Sequence, residues 1–137
     1  MKYKITDHTA DFGMHVFGSD LQDLFTNAAH ALFDVITDIE RVEGVKTREL
    51  HVTGDDWPDL MVNWLREMLF LWTGSELLVK EVLIRSISAY ELTANVLADP
   101  YNPDRHIIKD EIKAVTYHQI QVEKGEAGWE SKIIFDV

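Results

Sequence analysis

The chain has 137 residues, enough for one domain with a real core and too few for two of ordinary size. Its 13 Lys and Arg stand against 24 Asp and Glu, a formal net charge of −11 that argues against a surface gripping nucleic acid over a wide area or binding an anionic membrane. Cysteine is absent, so disulfides, thiolate catalysis and zinc–thiolate sites are excluded, and any metal must be taken by oxygen or imidazole.

Lys2 and Lys4 lead into polar Asp7-His8-Thr9 rather than into an apolar signal segment, and the densest apolar run, residues 68–72, is far too short to span a bilayer. A cytoplasmic protein is the expectation. Residues 3–6 and 13–17 read as two strands, with Asp7, His8 and Asp11 in the short connection between them. Aspartates there also serve as ordinary turn formers, which is the bland alternative. A further strand-like run closes the sequence on Ile133-Ile134-Phe135-Asp136-Val137. If it lies beside the first strand, Asp11, Asp136 and the Val137 carboxylate converge on one point, an oxygen-rich cluster that repels itself without a cation.

Gly18-Ser19-Asp20 offers a turn into a helix, with Ser19 and Gln22 at the spacing of a capping box. Leu21, Leu24, Phe25, Ala28, Leu32 and Val35 then form one apolar stripe, which leaves His30 on the polar side and at the surface. Residues 39–42 are expected as a short strand. Residues 47–53 alternate, so that His51 points to solvent. A second helix opens with Asp56 as cap and Pro58 in the first turn; acid there suits the positive end of the helix dipole and is read as capping rather than coordinating. Its apolar face is Leu60, Met61, Trp64, Leu65, Met68, Leu71 and Trp72, and Gly74 is placed at a left-handed cap. Phe70 shares a face with Asn63, Arg66 and Glu67 and is expected to meet a neighbouring strand, the alternative being an exposed partner surface.

Residues 77–85 and 90–97 read as a hairpin, Pro100 and Pro103 interrupt, and residues 110–118 are expected mainly as strand. Residues 119–124 and 129–136 are joined by Gly125-Glu126-Ala127-Gly128 as a last hairpin. Arg105, His106, Lys109 and Lys113 put local positive charge into an acidic chain, either as a solvated face or as donors to phosphate or to an acidic partner. No internal repeat is evident. Two helices and seven or eight strands predict an α+β fold, a single domain over residues 1–137 in which a mostly antiparallel β-sheet carries two α-helices packed on one face.

Four stretches then carry a resemblance: Asp7-His8-Thr9-Ala10-Asp11, Asn63-Trp64-Leu65, Lys113-Ala114-Val115-Thr116-Tyr117-His118 and Ile134-Phe135-Asp136-Val137. In their order and spacing the chain resembles the archease family over nearly its whole length. The resemblance implies a small cytoplasmic α+β accessory protein, not itself an enzyme, that assists the GTP-dependent tRNA-splicing RNA ligase. It implies promotion of that ligase's guanylylation, of its multiple turnover and of its use of other nucleotides. It also implies a calcium site, with magnesium or another divalent cation as the alternative, on Asp11, Asp136 and a main-chain oxygen of Val137. Many members carry isoleucine where this chain has Val137, a departure without consequence for a main-chain ligand. Asp7 and His8 are secondary candidates around the ion, and Arg105, His106, Lys109 and Lys113 are candidates for facing the ligase or a nucleotide. Two other classes fit the residues: a metal-dependent phosphoester hydrolase with His8 or His118 as base, and a chaperone-like binding module acting through apolar surface such as Phe70.

Overall fold

The computed structural model describes residues 2–7 and 11–137, the side chain of Asp7 excepted. Helix α1 (Leu21–Ile36) starts where Asp20 Oδ1 accepts the N–H of Asp23 at 2.7 Å while Asp23 Oδ2 accepts from Ser19 N at 2.9 Å. The reciprocal cap therefore sits one residue beyond the Ser19/Gln22 spacing, because a carboxylate stands at the capping position itself. Helix α2 (Trp57–Thr73) opens in the same way, with Asp56 Oδ1 on Asp59 N and Asp59 Oδ2 on Asp55 N, each 2.8 Å.

The N-terminal turns of α1 and α2 are structural copies of each other. Gly18 and Gly54 precede the caps, and a Cβ on either would strike the backbone nitrogen of Leu24 or Leu60, at 2.4 and 2.5 Å. About two turns into each helix, Asn27 and Asn63 donate back to the carbonyls of Phe17 and Thr53. The pattern Gly-x-Asp-x-x-Asp-Leu-x-x-Asn thus occurs twice, so the chain does carry an internal repeat.

Strands β1 (Tyr3–Asp7), β2 (Asp11–Gly18), β6 (Ala114–Val115), β7 (Gln121–Gly125) and β8 (Gly128–Asp136) form one sheet in the order β1-β2-β8-β6, with β7 also on β8. Strands β3 (Lys46–Thr53), β5 (Glu91–Pro100) and β4 (Leu77–Ser88) form a second, in the order β3-β5-β4. Every pairing is antiparallel, and the α+β class holds, with the strands divided between two sheets. Both helices touch strands of both sheets. That is why α1 buries Ala29, Ala31 and Phe33 as well as its stripe of Leu24, Phe25, Ala28 and Leu32. Trp64 is fully buried between the helices and donates from Nε1 to the carbonyl of Phe25 at 2.9 Å. Strand β4 opens with Leu77, Leu78 and Val79 all buried, so it is covered on both faces there, and two register shifts further along, between Val79 and Glu81 and between Ile84 and Ser86, break its alternation.

Several local expectations change. Residues Ile39–Arg41 form a single 3-10 turn capped by Asp38 rather than a strand. Gly74 closes α2 with φ −99°, and the left-handed residue is Glu76 at φ 52°. Phe70 is 56 % exposed instead of covered by a strand. His30 is half-buried, its Nε2 without a hydrogen-bond partner among the described residues. Within residues 110–118 only Ala114–Val115 is strand, because that segment leans on α2, where Arg66 donates to the Val115 carbonyl at 3.2 and 3.3 Å.

Candidate metal centre

The hydrophobic alternation of β2 and β8 sets the centre. Phe12, Met14 and Val16 face Phe135, Ile133 and Ser131, and this register leaves Asp11 directly opposite Asp136. Asp11 is the first residue of β2 rather than part of the connection, and the last strand lies beside the second strand rather than the first. On the far side of β8, Ala114 is opposite Asp136, and Lys113 N donates to the Asp136 carbonyl at 2.8 Å. Asp136 therefore has strand neighbours on both sides.

Directly opposed residues of an antiparallel pair project from the same face with Cβ atoms about 4.5–5.5 Å apart. Two carboxylates so placed repel by about 1 kcal/mol in water and several times that at a partly covered surface. Among the described residues no basic side chain forms an ion pair with either. The donor chemistry fits a hard cation. Two carboxylates and the main-chain oxygen of the adjoining exposed Val137 supply three of the roughly six to eight oxygens calcium takes, leaving the rest open. No cluster of three His, Asp or Glu side chains suited to a metal occurs among the described residues, so this set relies on the main chain. The main chain of Asp7 pairs with Phe12, one rung away; its side chain and all of His8 lie outside the described residues.

The basic candidates divide. Lys109 and Lys113 are exposed, and Lys113 immediately precedes the residue opposite Asp136. Arg105 and His106 are instead drawn to Asp99. His106 is 4 % exposed, its Nδ1 accepting the N–H of Asn102 at 3.0 Å, so that Nε2 carries the proton toward Asp99 Oδ2 at 3.3 Å. It is thus an interior residue and not a donor to a nucleotide or a partner. Arg105 reaches Asp99 at 3.2 Å and Glu43 at 3.6 Å. Asp99, itself 2 % exposed, also accepts the N–H groups of Glu43, Gly44 and Val45 at 2.7, 2.7 and 3.0 Å. Burial alone would raise its carboxyl, but these donors hold it below the usual range.

A second polar knot lies between α2 and the segment leading from β6. Tyr117 Oη donates to Asp59 Oδ1 at 2.6 Å, and Arg66 covers the Tyr117 ring at 4.8 Å. The phenol is the main reason the Asp59 carboxyl is held low. Asp99 and Tyr117 both organise their surroundings; Tyr117 lies within a stretch that carries the family resemblance, whereas nothing in the sequence marked Asp99. His118, the alternative base, is exposed and lies beyond this knot.

A small α+β protein of two antiparallel sheets, with paired aspartates abreast on neighbouring strands, is the class these features define. The model of the Archease protein family (MTH1598/TM1083) matches residues 3–137, and the chain belongs to the archease family. Protein archease of Methanosarcina mazei is 36 % identical over 140 residues, covering 99 % of this chain and 96 % of that protein. Protein archease of Pyrococcus abyssi is 33 % identical over 135 residues, covering 96 % and 95 %. The solution structure of Methanobacterium thermoautotrophicum protein 1598 superposes with a TM-score of 0.84 at 29 % identity, covering 99 % of each chain. No helix of the described residues is long and apolar enough to cross a membrane.

Proposed function

We propose that this chain is a cytoplasmic accessory factor of the GTP-dependent tRNA-splicing RNA ligase, promoting its guanylylation, its multiple turnover and its use of other nucleotides, and is not itself an enzyme. A divalent cation, calcium in the first instance and magnesium as the alternative, is held by Asp11, Asp136 and the main-chain oxygen of Val137. The observation that carries this reading, beside family membership, is the pairing of Asp11 with Asp136 in register.

Ordered on neighbouring strands, the two carboxylates bind one side of an ion and leave its other side for oxygens of a partner or a phosphate. When bound, the ion supplies positive charge where phosphate oxygens must be held for histidine attack. Asp11 and Asp136 orient it, and the exposed ammonium group of Lys113, whose backbone N–H donates to the Asp136 carbonyl, adds mobile positive charge beside the same strand end, with the exposed Lys109 four residues earlier in the chain.

Single-turnover and multiple-turnover assays with purified ligase test the proposal. Asp11→Ala and Asp136→Ala are expected to lower stimulation by about tenfold or more, as chelation does. Intact guanylylation and turnover with Asp11→Ala would falsify it. A chaperone-like reading draws on the exposed Phe70; it requires stimulation of unrelated clients that is insensitive to chelator. Incubation with phosphodiesters in the absence of ligase tests the hydrolase reading.

A further inference from the structure

The turns into α1 and α2 are copies, yet the chain itself completes only the second. At α2 the Asp59 carboxylate accepts the N–H of Asp55 on Oδ2 and the Tyr117 hydroxyl on Oδ1, with the Arg66 guanidinium over the phenol ring. At α1 the matching Asp23 accepts the N–H and the hydroxyl of Ser19 on Oδ2, and no donor among the described residues reaches its Oδ1. Three residues beyond the shared asparagine, α2 carries Arg66 where α1 carries His30. In front of the α1 turn lies a cleft of about 700 Å³, lined by Phe17, Asp23, Asn27, Glu126, Trp129 and Glu130 among others. The last hairpin closes on the turn through Gly128, at φ 129°, where a Cβ would stand 2.5 Å from the Gly18 carbonyl oxygen. Asn27 is 5 % exposed and donates from Nδ2 to the Phe17 carbonyl at 2.8 Å. Its Oδ1 has no donor among the described residues and is not sealed from solvent, which makes it an open acceptor where the residue meets the cleft.

We propose that this cleft takes the guanidinium of an arginine presented by a partner polypeptide, its N–H groups donating to Asp23 Oδ1 and Asn27 Oδ1 and its plane lying on the Trp129 indole. Charge selects the occupant. Asp23, Glu126 and Glu130 stand against the single ammonium of Lys2, so the cleft repels an anion and attracts a cation. Lys2 forms no ion pair with these acids among the described residues, and its charge acts instead against protonation of His30 in the neighbouring cavity. Glu130 leans toward His15, 3.6 Å from Nε2, and contributes charge at the rim rather than a contact. A guanidinium fits better than an ammonium, because a rigid planar fork of donors serves two separate acceptors and an aromatic face at once. The volume exceeds that of one guanidinium and leaves room for the main chain that carries it. The cleft lies at the far end of β2 from the aspartate pair, since Asp11 and Gly18 are the first and last residues of that strand, and it does not rest on the ligase reading.

The test is NMR of the full-length protein, following the Trp129 indole N–H during titration with the blocked peptide acetyl-Gly-Arg-Gly-amide and with its lysine and tyrosine counterparts. The expected result is a saturable shift with the arginine peptide, binding about tenfold weaker with the lysine peptide and no saturation with the tyrosine peptide. Asp23→Asn keeps an oxygen for the Ser19 N–H but loses the carboxylate, and is expected to weaken the arginine peptide by about tenfold. Glu126→Gln, on the exposed tip of the hairpin, is expected to weaken it by about threefold and is the second variant should the first lose its fold. Glu49→Gln removes an exposed acid from β3 in the other sheet and leaves binding unchanged. Equal affinity for the lysine peptide, saturation by the tyrosine peptide, or absence of any shift overturns the proposal. So does an affinity that both Asp23→Asn and Glu126→Gln leave intact in proteins retaining the native spectrum.

Discussion

Asp11 and Asp136 stand abreast on one sheet face, so the protein keeps two like charges as cross-strand neighbours. Opposed like charges are destabilising, by an amount comparable with the roughly 0.2–1 kcal/mol that favourable cross-strand pairs contribute. Asp136→Asn is therefore expected to raise the stability of the cation-free protein by about 0.5 kcal/mol. On the proposed function, calcium is expected to stabilise the native chain by about 2.7 kcal/mol at a hundredfold excess over its dissociation constant, and the same substitution to abolish that gain. Thermal melts in chelator and in calcium measure both, and a variant that keeps the calcium response would exclude Asp136 as a ligand.

Asp99 ties the turn at residues 43–45 to Arg105 and His106. With its carboxyl held below the usual range when folded, its stabilisation is fully present above the unfolded value of about 3.9 and disappears as pH falls through the folded value. Asp99→Asn is expected to cost about 3 kcal/mol at neutral pH, because buried N–H groups and a histidine lose a charged acceptor. Urea unfolding of the two proteins should converge on acidification. A constant gap down to the lowest pH at which the chain folds would contradict the linkage.

Tyr3 donates its phenolic proton to Asp34 across the gap between β1 and α1. Burial first, then the bond and charge of Asp34, push the phenol up to about 12. Its contribution to stability is complete below the ordinary tyrosine range near 10 and is lost as pH rises through the folded value. Alkaline titration by phenolate absorbance should show this group ionising after the ordinary tyrosines, and Tyr3→Phe should remove that late step.

Trp64 and Phe70 provide a contrast within one helix. Trp64→Phe removes the indole that donates as a second partner to the Phe25 carbonyl and leaves a gap in the fully buried core, and is expected to cost about 2 kcal/mol. Phe70→Ser removes an exposed ring and should change stability by about 0.5 kcal/mol or less. Chemical denaturation of the pair checks both values, and a large loss for Phe70→Ser would show that the ring is covered in solution.

Much of this architecture is legible from the residues. The start of α2 follows from Asp56 and Pro58, the final hairpin from Gly125 and Gly128, and the orientation of β8 from Ile133 and Phe135. The facing of Asp11 and Asp136 follows once β2 and β8 are paired, because their core residues admit one register. The second sheet was hidden because alternation tells which face of a strand is covered and not by what. Ala29, Ala31 and Phe33 were the available signal, since a helix apolar beyond one stripe is packed on more than one side.

What escaped was long-range polar chemistry. His106 reads as a surface cation in a basic stretch, and only the return of the chain beside Asp99 turns it inward. The matching first turns of the two helices were missed for a different reason. Gly18 and Gly54, with Asn27 and Asn63, repeat across otherwise dissimilar residues, and their common role is backbone contact rather than a shared hydrophobic pattern.

Because α1 and α2 serve both sheets, neither sheet has an interior of its own. Splitting the chain between β3 and α2 would part α1 from β4 and β8, α2 from β3 and the two helices from each other, so no smaller autonomous piece is expected. Amide exchange from the middle of β5 and from the middle of β8 should then proceed through one and the same opening event, although the two strands lie in different sheets.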